Sequence, residues 1–361
     1  MNIIATNLSR LRLFLARTSL VGIPATRALA WELPRLLAWR AYNRLASLVY
    51  ALMDRQRVTD RRTARALQRF TGPEGIYFYV IAVPRALHFL IPAASLIQRH
   101  ARIVFVLNGV SRTEEQALRD RFPAVPTLRL WTLPGTCWPH GHLLSVLLRS
   151  SGRDFGIIDH DFFLFDDTVF EQLRFAEDEF AVCADAWRNA PTGSEVPTTH
   201  FMYLHTRRLQ EVMRRHGVGA QLYKTIPGHL SDMLANAGFS MRNPPKEYQS
   251  FFDSFLMLSV LAVQDGYRFH KLDTAPEGWV HVGGTSMGRH ISKDAVHHYV
   301  SSRFLEWLEG SPVYEEYRRK GLATPDMSKR LRDTLDTQIA HRVDLLVDRV
   351  GKRMAALSTP P

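Results

Sequence analysis

Residues 140–167 read HGHLLSVLLRSSGRDFGIIDHDFFLFDD. Leu143, Leu144, Val146, Leu147 and Leu148 recur at helical spacing, Ser151 and Gly152 interrupt, and FGII (155–158) is a short apolar run of the kind that forms a buried strand. That run drives into Asp159, His160 and Asp161 before turning apolar again at Phe162. If the strand continues through them, Asp159 and Asp161 point the same way and His160 the other. Ionised carboxylates do not enter apolar surroundings uncompensated, and two that converge repel each other. A hard divalent cation, Mn²⁺ or Mg²⁺, answers both problems by oxygen ligation. Asp166 and Asp167, by contrast, precede TVFEQL and read as a helix cap and a first-turn acid.

Upstream, TGPEG (71–75) is a breaker, after which IYFYVIAV (76–83), PRALHFLIPAASLIQRH (84–100) and ARIVFVLNG (101–109) read as strand, helix and strand. Fully apolar strands joined by a helix indicate a parallel sheet covered on both faces. SRTEEQALRDRF (111–122) opens like a capping box at Ser111 and Glu114, and PTLRLWTL (126–133) supplies a third strand. The aspartates therefore stand at the carboxyl edge of the sheet, where open α/β folds bind ligands. The expected fold is α/β, a Rossmann-like, mostly parallel sheet with helical N- and C-terminal extensions. It divides as an arginine-rich helical region 1–74, a catalytic domain 75–290 and a helical region 291–361.

The 361 residues include 46 Lys+Arg against 35 Asp+Glu, a formal net charge of +11. Such a balance suits an anionic membrane or a phosphorylated substrate. Nucleic acid is not an expected partner, because no reader motif accompanies the charge. Arg10, Arg12, Arg17, Arg27, Arg35, Arg40 and Arg44 face only Glu32 in the first fifty residues, among Trp31, Trp39 and Tyr42. The expectation is a cytoplasmic protein held peripherally on the inner face of an anionic membrane. The alternative is a helical layer packed on the main domain. Arginines break every early apolar run, which argues against a cleavable signal peptide. Residues 76–97 contain Pro84, Arg85, His88 and Pro92 and read as core rather than a membrane span. Cys137 and Cys183 alone exclude a disulfide-dense framework.

A helix with Gly141 near its start, an apolar strand ending in Asp-x-Asp, and a βαβ half before both resemble the nucleotide-sugar-dependent glycosyltransferases of the GT-A fold. FAVCADAW (180–187), THFMYLHTRRLQEVMRRHG (199–217) and FFDSFLMLSVLAVQDGYRFHKL (251–272) follow in the family's order. The resemblance implies a nucleoside-diphosphate sugar as donor and a glycan or lipid-linked acceptor. It implies a divalent metal on Asp159 and Asp161, with His281 of VHVGGTS (280–286) as a third ligand; an arginine-paired structural cluster and a core histidine are the alternatives. Asp253 becomes the general base if the reaction inverts, or a group that orients substrate if it retains; an N-cap before the following helix explains it as well. Asp232 is its weaker competitor. Asn108 and Arg85 are candidates to contact the nucleotide, with a plain turn and a solvated loop as their alternatives. Gly283 and Gly284 suit close approach to a diphosphate. His140 and His142 lie at a helix start, where diphosphate binding competes with capping.

Two further readings use the same residues. Asp-x-Asp at a strand end also serves phosphatases of the haloacid dehalogenase type, although Phe163 stands where those enzymes usually carry Thr or Val. A non-catalytic glycosyltransferase-like protein that binds carbohydrate or membrane is the other.

Overall fold

The computed structural model describes residues 15, 24–70, 75–275, 277–283, 295–324 and 326–358. Short helical turns from Ala25 lead into helix α1 (Leu33–Arg55), which carries Pro34 in its first turn, and α2 (Asp60–Phe70) follows. The β-rich apolar runs become strands β1 (Tyr77–Ala82), β2 (Arg102–Leu107), β3 (Thr127–Arg129) and β4 (Phe155–Ile158). Between them lie α3 (Leu87–Ile97), α4 (Arg112–Arg121) and α5 (His140–Ser150). Ser111 caps α4 in a reciprocal box with Glu114, as the sequence predicts.

After β4 come β5 (Phe162–Leu164), β6 (Glu179–Cys183), a small hairpin of β7 (Ala186–Arg188) and β8 (Glu195–Pro197), and β9 (Phe201–Leu204). Helices α6 (Thr206–His216), α7 (Ser231–Asn236) and α8 (Leu256–Gln264) precede β10 (Arg268–Lys271) and β11 (Trp279–His281). Helices α9 (Ala295–Leu305), α10 (Pro312–Arg319), α11 (Met327–Arg332) and α12 (Thr337–Ser358) complete the chain. The main sheet has seven strands in the order β10-β6-β9-β4-β1-β2-β3. All its pairings are parallel except those of β9, which runs antiparallel to both β4 and β6. The fold is thus α/β with a mostly parallel central sheet.

Alternation along β1 sends Phe78 and Val80 to one face and Tyr79 and Ile81 to the other. On the first face, α3 and β5 pack with the C-terminal helices through Phe163, Phe304, Tyr317 and Val347. On the second, α5 and α8 pack with α1 and α2 through Leu144, Leu148, Tyr50 and Leu67. Residues 76–97, read as core, are β1 and α3. Among the described residues no helix is long and apolar enough to cross a membrane.

The aspartate segment departs from the strand geometry read from the sequence. β4 ends at Ile158, and Asp159, His160 and Asp161 form a turn closed by the Phe162 N–H donating to the Asp159 carbonyl at 3.1 Å. The chain then leaves the main sheet as β5, which pairs antiparallel with β11 so that Phe162 stands opposite His281.

Candidate active site

The tight turn and the β5–β11 pairing together bring Asp159, Asp161 and His281 to one point. One ligand atom from each lies within 4.8 Å of the others. His281 Nε2 is 3.6 Å from Asp159 Oδ2 and 3.4 Å from Asp161 Oδ1. The Val282 N–H donates to the Asp161 carbonyl at 3.1 Å, which fixes β11 against the turn. Asp161 is buried, while Asp159 and His281 are half-buried. Gly283 takes a left-handed φ of 72° two residues past the end of β11, a conformation that favours glycine. Gly284 lies outside the described residues.

The electrostatics show why this point suits a cation. Desolvation raises the pKa of Asp159, with Asp161 adding like charge, against the opposing pull of His140, His281 and His160. Burial alone would lower His281, but its hydrogen bond to Asp161 and the charges of both aspartates outweigh that and raise it. A second histidine, His200, stacks on His281 with ring centroids 4.5 Å apart and also packs against Phe162 and Trp279. Burial, helped by His281 and Lys246, pushes His200 down to about 3, so it stays neutral and acts as a wall behind His281. Two carboxylate oxygens and one imidazole nitrogen form a donor set that fits Mn²⁺ or Mg²⁺ with open positions left over.

A cavity of about 1030 Å³ opens at the carboxyl ends of β1 and β2, and Asp159 and His160 both line it. His160 therefore shares the ligand side with Asp159, because the turn replaces strand alternation. Arg85, Arg112, Arg129 and Lys320 line this cavity beside Glu114, with Arg112 and Arg129 paired to Glu115 and Lys320 to Glu316, and Trp39 and Asn43 of α1 form part of its wall. Arg85 sits at a left-handed φ of 66°, with its N–H donating to Glu114 at 2.6 Å. Asn108 lines the cavity too, but its amide is already used: Oδ1 accepts from the Trp138 N–H at 2.7 Å and Nδ2 donates to the Trp138 carbonyl at 3.0 Å. It clamps the 133–139 loop. Gly109 beside it passes so close to Thr136 that a Cβ would meet the carbonyl oxygen at 2.1 Å.

The two histidines of the opening stretch separate in role. His140 lines the cavity, and its Nε2 is buried without a hydrogen-bond partner. His142 instead binds Asp54 at 2.7 Å and anchors α1. Asp166 caps the following 3₁₀ turn through the Thr168 N–H at 3.0 Å, and Asp167 pairs with His100 and Arg353.

Asp253 does not cap α8. The N-cap is Phe255, in left-handed conformation, two residues further on. The Asp253 carboxylate accepts from Gln249 at 3.1 Å and from the Ser254 N–H at 2.8 Å. Lys246 Nζ lies 3.8 Å from it, on a side chain only 12% exposed. The same lysine also weighs electrostatically on His200 and His281, lowering both. Lys246 and His200 carry no motif in the sequence; only the folded chain brings them here.

Comparison with known proteins adds a likeness to this geometry. Residues 54–209 match the StrH glycosyltransferase N-terminal domain, a span that starts within α1 and runs through the aspartate turn into α6. No curated protein matches the chain. Among solved structures, the apo structure of the bifunctional glycosyltransferase WbbM is similar over 69% of this chain, with 10% identity and a TM-score of 0.35. This chain covers 52% of WbbM, about half its length. The S. aureus TarS 1–349 structure in complex with UDP-GlcNAc is similar over 78% of this chain and 89% of its own, with 11% identity and a TM-score of 0.34. Over residues 54–209 the chain is therefore similar to a glycosyltransferase domain, and the resemblance to glycosyltransferases read from the aspartate segment is borne out.

Proposed function

We propose that the protein moves a sugar from a nucleoside-diphosphate sugar to an acceptor hydroxyl and needs a divalent metal to do so. The observation that carries this reading is the convergence of Asp159, Asp161 and His281 beside a large cavity at the carboxyl edge of a mostly parallel sheet. When bound there, Mn²⁺ or Mg²⁺ would neutralise charge on the diphosphate as it leaves. Asp161, Asp159 and His281 would hold the ion, and His200, stacked on His281, keeps its ring oriented. Arg85, Arg112, Arg129 and Lys320 supply positive charge around the donor, while the Asn108 clamp shapes the wall of the cavity rather than reading the base. On the other side, Lys246 holds Asp253 and adds positive charge beside the cluster. Asp253 accepts the acceptor's proton if configuration is inverted, or orients substrate if it is retained. The acceptor is a glycan or a lipid-linked chain, and the place of action is the cytoplasmic face of a membrane.

Thermal shift with UDP or GDP and Mn²⁺ tests the site. Ligand stabilisation is expected only with the metal present and is lost in Asp161→Asn without unfolding the protein. Equal stabilisation in excess chelator overturns the metal reading. Asp253→Asn is expected to keep this binding and reduce turnover by roughly 10²- to 10⁴-fold; unchanged turnover removes Asp253 from the mechanism.

A further inference from the structure

Helix α1 has two apolar faces, and the fold uses one of them. Ala46, Tyr50 and Leu36 are buried. Tyr50 accepts the Leu133 N–H at 2.8 Å, and Tyr42 donates to the Pro134 carbonyl at 3.1 Å. Trp39 and Asn43 from this inner side reach the substrate cavity. Asp54, near the end of the helix, is buried against Arg149 and His142. The helix is thus fixed in rotation.

Its other face holds Leu37, Leu45, Leu48 and Leu52, exposed by 54%, 57%, 69% and 59%. At ~100° per residue these four fall within an arc of about 80°, on the side away from Tyr50 and Asp54. Trp31 before the helix and Val58 after it are also exposed. A row of this kind is far from the scattered single leucines of an ordinary surface.

We propose that this outer face docks on an anionic lipid bilayer, with α1 lying in the plane of the interface while its inner face remains a wall of the cavity. The charge around the row selects the occupant. Arg40, Arg44 and Arg55 are exposed on the same helix, and Arg61, Arg62, Arg65 and Arg69 on α2. The acids nearby are already committed: Glu32 to Arg35, Asp54 and Asp60 to Arg149. A second copy of the chain laid on this face would press like-charged arginines together, whereas lipid headgroups complement them. Leucines in the acyl boundary with arginines at headgroup level are the arrangement of an interfacial helix. The proposal gives the peripheral contact expected from the arginine-rich N-terminal residues a defined surface on α1; Arg10, Arg12 and Arg17 of that expectation lie outside the described residues. The proposal also places the helix that walls the cavity with Trp39 and Asn43 against the membrane, where a lipid-linked acceptor would be presented. The docking itself does not depend on the transferase reading.

Vesicle co-sedimentation of the full-length protein tests this. Binding is expected on vesicles containing phosphatidylglycerol, not on pure phosphatidylcholine, and to weaken as salt rises. Leu45→Glu/Leu48→Glu is expected to reduce the bound fraction roughly tenfold or more while the melting temperature holds, because both side chains stand in solvent. Arg40→Glu/Arg44→Glu is expected to lose the dependence on anionic lipid. Asp161→Asn, which disables the proposed metal site, is expected to bind vesicles like the wild type, so failure of the transferase reading and failure of docking remain distinguishable. Wild-type protein that ignores anionic vesicles at low salt overturns the proposal, as does full binding by Leu45→Glu/Leu48→Glu. A wild-type dimer that this variant converts to monomer, with no vesicle binding, assigns the face to a second copy instead.

Discussion

Helix α12, 22 residues long, buries Val343, Val347 and Val350 in the core it shares with α3 and α9, whereas α1, 23 residues long, buries Leu36, Ala46 and Tyr50 and leaves four leucines in solvent. Both are long, charged and set at opposite ends of the described chain. What separates them is the number of apolar stripes. The buried valines of α12 recur at spacings of four and three, a single stripe that the core consumes. In α1 a second stripe runs opposite the first, so burial against the domain leaves it over. Helical content and charge alone do not distinguish a helix that closes a core from one that offers a face outward.

The comparison breaks first at the C-terminal end. Phe304 of α9 is fully buried, stacked on Phe163 at 5.1 Å and tilted against Phe89 at 5.0 Å. Phe304→Ala is expected to lower unfolding free energy by about 3–5 kcal/mol in urea titration. A loss below ~1 kcal/mol would show that the C-terminal helices do not share the core. The inner face of α1 should respond less. Tyr50 bonds Thr136 at 2.5 Å as well as the Leu133 N–H, so Tyr50→Phe is expected to cost about 1–2 kcal/mol by leaving the Leu133 N–H unpaired. On the outer face, Leu48→Ser is expected to change stability by no more than ~0.5 kcal/mol in solution. A larger loss would mean that something covers this stripe.

Much of the fold was legible because its signals are local. Apolar β-rich runs at 76–83, 101–109 and 155–158 became parallel strands, and Ser111 with Glu114 capped α4. The antiparallel β9 carries no such mark, since its residues are as apolar as those of its neighbours. Asp159, Asp161 and His281 were picked out by type and spacing, and the structure brings them together, though through a turn and a strand pairing rather than strand alternation. Asp253 shows the limit. Its distance from the helix suggested a cap, yet a left-handed Phe255 intervenes and turns the carboxylate to Lys246. Asn108, expected near the nucleotide, is occupied by a loop thirty residues away. Lys246, His200 and the α1 wall depend on contacts between distant segments, which spacing along one chain does not encode.

Helix α3 is buried along its whole length apart from Ile91, and α9 and α12 supply its outer cover. On the ribosome, α3 is complete by residue 97, while α12 starts at Thr337. At about 5–20 residues per second, some 240 residues of translation leave that apolar surface incompletely covered for roughly 10–50 s. The nascent chain therefore carries a sticky helix long before its lid exists. Any arrest or nonsense mutation ahead of residue 295 would release a chain with α3 uncovered, a product suited to chaperone capture or proteolysis.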